Sequence, residues 1–119
     1  MIPGIKSVLA GVILGAGKAV LFKTDNVLAA GSTQANAALL TGIVNNVTGA
    51  DGTKGVILPA PRVPGQSVWV YSVESGELLL VYPHPGGRIN HGNLNAPVSQ
   101  AERVLVQYIA TDLTNWAAG

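Results

Sequence analysis

Two histidines, His84 and His91, stand in a Gly- and Asn-rich loop, His84 to Asn95, that also holds Arg88. Two imidazoles could begin a metal site. The chain has no cysteine, however, and no Asp or Glu lies near them to complete a ligand set. A site would need several copies brought together on a symmetry axis; otherwise the pair reads as surface loop residues. Gly15-Ala16-Gly17-Lys18 invites a phosphate-loop reading, which requires four residues between the first glycine and the Gly-Lys pair, then Ser or Thr for magnesium. Gly11 is one residue too far upstream and Ala19 follows the lysine, so the stretch reads as a flexible Gly-rich segment. Glu74 and Glu77 could be a carboxylate pair for sugar hydrolysis, yet they fall on a short polar linker and read as solvated turn charges. None of Ser67, Ser72, Ser75 or Ser99 sits in a G-x-S-x-G elbow. Asn46-Val47-Thr48 fits a glycosylation sequon, which matters only in a secreted eukaryotic setting. Trp69, Tyr71, Tyr82 and Tyr108 could stack on sugars or bases, although core or subunit-interface positions suit such residues at least as well. The residues thus offer no catalytic, cofactor-binding or metal-ligating set. They point to a β-rich structural or binding module rather than an enzyme.

The elements that carry these residues centre on Gly55 to Pro83. Val56 to Leu58 is a short apolar run closed by Pro59, Ser67 to Val73 is rich in β-branched and aromatic residues, and Leu78 to Tyr82 is closed by Pro83. The linker Glu74-Ser75-Gly76-Glu77 between the last two predicts a hairpin. Along Ser67 to Val73, Val68 and Val70 share one face and Trp69, Tyr71 and Val73 the other. Both faces are apolar, which predicts that both are covered. Leu39 to Thr48, broken by Gly42, predicts a bent or bulged strand. Asn26 to Ala38 reads as loop with one helical turn, and Ala19 to Phe22 as a possible strand. Arg103 to Ala110 reads as a strand in preference to a capped helix beginning at Ser99, and Leu113 to Ala117, with Trp116, as the closing strand. Short strands between Gly/Pro turns suggest a small sandwich or barrel.

A chain of 119 residues is one domain by length and large enough to bury a core without disulfides. Only 11% of residues are charged, seven Lys plus Arg against six Asp plus Glu, where about a quarter is usual. A near-zero net charge argues against a nucleic-acid partner held through phosphates. So few charges leave little polar surface, a hint that partners cover part of it. The apolar stretch between Lys6 and Lys18 is too short to cross a membrane, and its weak basic region disfavours a processed signal peptide. We read Met1 to Val20 as an arm that packs on a partner.

From Leu40 to Ala117 the order of pieces resembles small tailed-bacteriophage virion proteins of the head-decoration, cement or head-fibre kind. The pieces are Leu40-Thr41-Gly42, Gly55-Val56-Ile57-Leu58-Pro59, Val63-Pro64-Gly65, Val68 to Val73, Val81-Tyr82-Pro83, Gly86-Gly87-Arg88-Ile89-Asn90, Asn95-Ala96-Pro97-Val98 and Trp116. The resemblance implies a non-enzymatic homotrimer, without cofactor, seated on the major capsid protein at the capsid surface of the virion. The expected architecture is all-β, a small jelly-roll-like sandwich or barrel at 36–119 behind an extended N-terminal arm at 1–35. Ile2, Ile5, Val8, Leu9, Val12, Ile13 and Leu14 are expected to contact the capsid or a neighbouring subunit, and Trp69, Tyr71 and Val73 to build the trimer interface. The alternative is a receptor- or glycan-binding module of a fibre or other virion appendage, with the aromatics and the His84 to Asn95 loop facing solvent.

Overall fold

Short β-prone runs separated by Gly- and Pro-containing corners can pair with their sequence neighbours or with strands one full coil away. This chain does mostly the second. The computed structural model describes residues 12–15, 18–21 and 24–119. β1 (Val12–Gly15) and β2 (Lys18–Leu21) form a separate antiparallel pair, with Val12 opposite Leu21 and Gly15 opposite Lys18. From there the chain alternates between two sheets. β3 (Thr24–Leu28), β5 (Val44–Thr48) and β7 (Ser67–Ser72) enter one, and β4 (Ala38–Leu39), β6 (Gly55–Ile57) and β8 (Leu79–Tyr82) enter the other. Each of these sets is parallel, because strands that neighbour one another in a sheet are one coil apart. Thr24 lies opposite Val44 and Val44 opposite Trp69; on the second sheet Ala38 lies opposite Val56 and Val56 opposite Val81. The result is a short stack of coils in the manner of a solenoid, each coil contacting mainly its neighbours.

The far end of the stack is closed by antiparallel strands. β10 (Val98–Gln100) pairs with β8, β11 (Leu105–Ala110) with β7, and β12 (Asn115–Ala118) with β11, while β9 (Arg88–Ile89) lies parallel to β12. The orders are β3-β5-β7-β11-β12-β9 and β10-β8-β6-β4. One core lies between the sheets. Val47, Val68, Val70, Tyr108, Ala110 and Trp116 come from the six-stranded sheet and meet Leu40, Val56, Leu58, Leu79 and Val81. Each fully buried aliphatic side chain contributes about 1.5–3 kcal/mol from area removed from water.

The all-β class agrees with the sequence reading, and β6, β7, β8 and β11 fall within one to two residues of the runs expected at 56–58, 67–73, 78–82 and 103–110. Their pairing does not agree with it. Glu74 to Glu77 makes no hairpin: β7 and β8 lie in different sheets, and the linker carries the chain across. The Glu74 carboxylate explains the path, accepting the Gly49 N–H at 2.7 Å from the preceding coil. Leu39 to Thr48 is not one bent strand. Gly42 sits at the corner between β4 and β5, where an added Cβ would lie 3.0 Å from Asp25 N and Val44 O. A jelly roll pairs its strands antiparallel, whereas β3-β5-β7 and β4-β6-β8 are parallel. Thr24 to Leu28, within the stretch assigned to the arm, is the edge strand of the six-stranded sheet, and Ala29 joins the core. The helical turn expected within 26–38 is the 3-10 turn Gln34–Asn36.

Coils stack closely at Gly55, buried on β6. A Cβ there would lie 2.7 Å from the Leu80 carbonyl and 2.9 Å from Tyr82 Cε1. Gly55→Ala is expected to destabilise by about 1–3 kcal/mol through overpacking. It should be read as a lower urea midpoint at unchanged slope; an unchanged midpoint would show that the coils separate freely at this point.

Candidate assembly surface

Alternation along β7 sends Val68, Val70 and Ser72 into the core and turns Trp69 and Tyr71 outward, partly exposed. The pairing of β5 and β11 on either side extends that outer face. Val44, Trp69 and Gln107 form one cross-strand row; Asn46, Tyr71 and Leu105 form the next; Ile109 lies beside Ser67. Val73 continues the face just past the end of β7, half-buried, with its N–H donated to the Val47 carbonyl. No charged residue occurs on β5, β7, β11 or β12. Leu105 is 51% exposed and Leu28, on the edge strand, 68%. The expectation that both faces of Ser67 to Val73 are covered therefore holds for the inner face, and among the described residues the outer face stays partly exposed. Trp69, Tyr71 and Val73, singled out from sequence, are brought together here. Ile2, Ile5, Val8 and Leu9 lie outside the described residues, and Val12, Ile13 and Leu14 form most of β1.

Polar groups in the interior are placed to satisfy backbone. Asn45, fully buried, accepts the Gly42 N–H at 3.1 Å and donates to the carbonyls of Gly42 (3.0 Å) and Trp69 (3.1 Å). Gln100 donates to the carbonyls of Val70 (2.8 Å) and Val104 (3.0 Å) and accepts from Tyr108 Oη at 2.8 Å. Burial pushes the Tyr108 phenol well above its usual range, so it stays a donor. The Asp112 carboxylate is held well below the ordinary range, first by the Asn115 side chain and then by the Thr114 and Asn115 N–H groups, and it fixes the β11–β12 turn. Neither amide carries a signal that sequence reasoning could have used.

The candidate chemistry disperses. Glu74 is engaged by Gly49, while Glu77 is exposed. His91 is exposed on the loop; His84 is buried, at 6% exposure, and is not a surface residue. Trp116 Nε1 donates to His84 Nδ1 at 3.1 Å, and Gly87 leaves the ring its room, since a Cβ there would sit 2.5 Å from it. Among the described residues no group of three or more His, Cys, Asp or Glu is placed to hold a metal ion. Trp69 and Tyr71 line neither of two clefts, one flanked by β10, β11 and β12, the other by residues 39–43 and 66–68. No family model matches the chain, and the comparisons with curated proteins and with solved structures return no match.

The His84–Trp116 contact predicts a pH dependence. Desolvation lowers the pKa of His84, opposed by a hydrogen bond to the Leu113 backbone. Below its free value near 6.5 the unfolded chain takes up a proton that the folded chain refuses, so stability falls as pH drops through about 6.5 and levels off below the folded pKa. Urea titrations between pH 7.5 and 5 should show this slope in the wild type and a shallower one in His84→Gln. Equal slopes would mean that the imidazole titrates alike in both states.

Proposed function

We propose that this chain is a structural virion protein that decorates and cements a tailed-phage head, binding the outer surface of the major capsid protein shell as a homotrimer. The observation that carries this reading is the partly exposed outer face of the six-stranded sheet, where Val44, Trp69, Tyr71, Leu105 and Ile109 lie together on strands without a charge. Burying such a face against a subunit releases water from apolar surface and leaves no charge to desolvate. The resemblance of Leu40 to Ala117 to phage decoration and head-fibre proteins supplies the setting. Binding selective for the assembled shell would stabilise it over its parts, as any ligand of one state does. The function needs no reaction. In this scheme the arm, with Ile2, Ile5, Val8, Leu9, Val12, Ile13 and Leu14, reaches the capsid or a neighbouring subunit.

Light scattering followed by co-sedimentation with expanded empty capsids tests the proposal. The expected outcome is a trimer that sediments with capsids in fixed ratio. A monomer, or an oligomer that ignores capsids, would sink it and turn attention to glycan binding by Trp69 and Tyr71. Leu105→Glu places a charge on the face beside Tyr71, at a position already half exposed, and should therefore spare the fold. It is expected to shift the oligomer to monomers while changing stability by less than about 1 kcal/mol; a trimer that survives it would rule this face out as the subunit interface.

A further inference from the structure

Three observations concern the end of the stack opposite β3. First, β10 is the edge of the four-stranded sheet, with β8 as its partner. The Leu80 N–H points to the β6 side, donating to the Lys54 carbonyl, so alternation aims Leu79 and Val81 at β10. Their partners are Gln100 and Val98, which leaves the N–H and C=O of Ser99 directed away from β8. Second, beside this edge lies a cleft of about 220 Å³ lined by Val98, Val104, Val106, Tyr108 and Ala118, where the two sheets part. Third, the turns at this rim are polar and carry both signs of charge: Glu102, which accepts the Gly76 N–H, is followed by exposed Arg103, and Glu77 lies next to Gly52, near the Asp51–Lys54 pair.

The chain itself supplies a fitting occupant. β1 and β2 form a two-stranded sheet of their own, and an isolated hairpin is marginal in water without a further strand or an apolar support. We propose that the β1–β2 hairpin of a neighbouring copy adds to the edge of β10, which is free among the described residues, and covers this cleft.

The occupant must come from another copy. β3, which follows β2, is at the opposite edge of the stack from the level of β10. A strand laid beyond β10 stands about four strand spacings from β3, about 19 Å across the stack. Leu21 and Thr24 are joined through Phe22 and Lys23 alone, a reach of about 11 Å. The hairpin's own length cannot help, because paired strands run along β10 and not across the stack. Donated once by each copy, such a contact is heterologous and closes into a ring when the rotation allows it. The inference rests on the proposed self-association and names one contact that holds it.

The test is amide exchange on the full-length oligomer, comparing wild type with Ser99→Pro, which removes the outward donor without touching the β8 pairing. In the wild type the amides of residues 12–21 are expected to be protected. In Ser99→Pro they should exchange on the order of 100-fold faster, while the β5 amides stay protected and show the fold intact. Val104→Glu, at a position 47% exposed on the cleft, is the second variant should proline unfold the chain. Since the chain lacks cysteine, disulfides between Ser99→Cys in one isotopically labelled copy and single cysteines at 12–14 or 19–21 in another report the partner directly; bonds between heavy and light chains are expected. Unchanged protection of 12–21 in both variants, or bonds formed only within one chain, would overturn this contact. If the trimer and its capsid binding persist in that case, the functional reading stands and only this contact fails; a monomer at every concentration removes both.

Discussion

The structure depends on coil stacking. β3, β5 and β7, and likewise β4, β6 and β8, pair in parallel with strands one coil away, so most backbone hydrogen bonds join residues about 20 or more positions apart. Parallel pairing of this kind gives no local reward, and the corners must hold the register. Gly55 lets one coil sit on the next, and Gly42 lets the chain turn between sheets. The buried Asn45 side chain then ties the Gly42 corner to the carbonyl of Trp69 on the next coil. These few contacts decide which face of every later strand looks inward, because a slip of one residue would exchange the faces of a whole strand.

A stack of coils also has ends, and the two ends here differ. Beyond β7 and β8 the chain reverses and closes the stack with β10, β11 and β12, and Gln100 braces the closure by bonding Val70 and Val104 while receiving Tyr108. Such an amide cannot be exchanged for an apolar residue without leaving the carbonyls it serves unpaired. The Ser72 hydroxyl on β7 is buried and has no hydrogen-bond partner among the described residues.

What the sequence revealed follows from range. Period-two alternation is local, so the strand at Ser67 to Val73, its two faces, and the grouping of Trp69, Tyr71 and Val73 were all legible. The partner of each strand was not. A linker of four residues suits a hairpin as well as a crossover, and the contact that selects the crossover, Glu74 to the Gly49 N–H, spans 25 positions. The burial of His84 was hidden for the same reason: His84 to Asn95 is rich in Gly and Asn, which reads as loop, and the Trp116 that covers the ring comes from the last strand. Gly42 was correctly read as an interruption, but an interruption within a sheet and a corner between sheets leave the same local signature.

The distribution of charge bears on what the molecule is built to do. Lys54 reaches Asp51 at 4.0 Å on an exposed turn, and Arg62, Arg88 and Arg103 also lie at the surface on turns or edges. The broad outer face made by β5, β7 and β11 has none. A protein that worked alone in solution would gain solubility by placing charges on that face, at little cost to its fold, since the core is on the other side. A partly exposed face free of charge, with Trp69, Tyr71, Leu105 and Ile109 among Asn46, Gln107 and Ser67, is instead suited to burial against another protein, where each charge would have to be desolvated or paired. On this argument the low charge of the chain, the exposed Leu105 beside Tyr71 and the edge position of β10 fit one property, a surface suited to the proposed assembly.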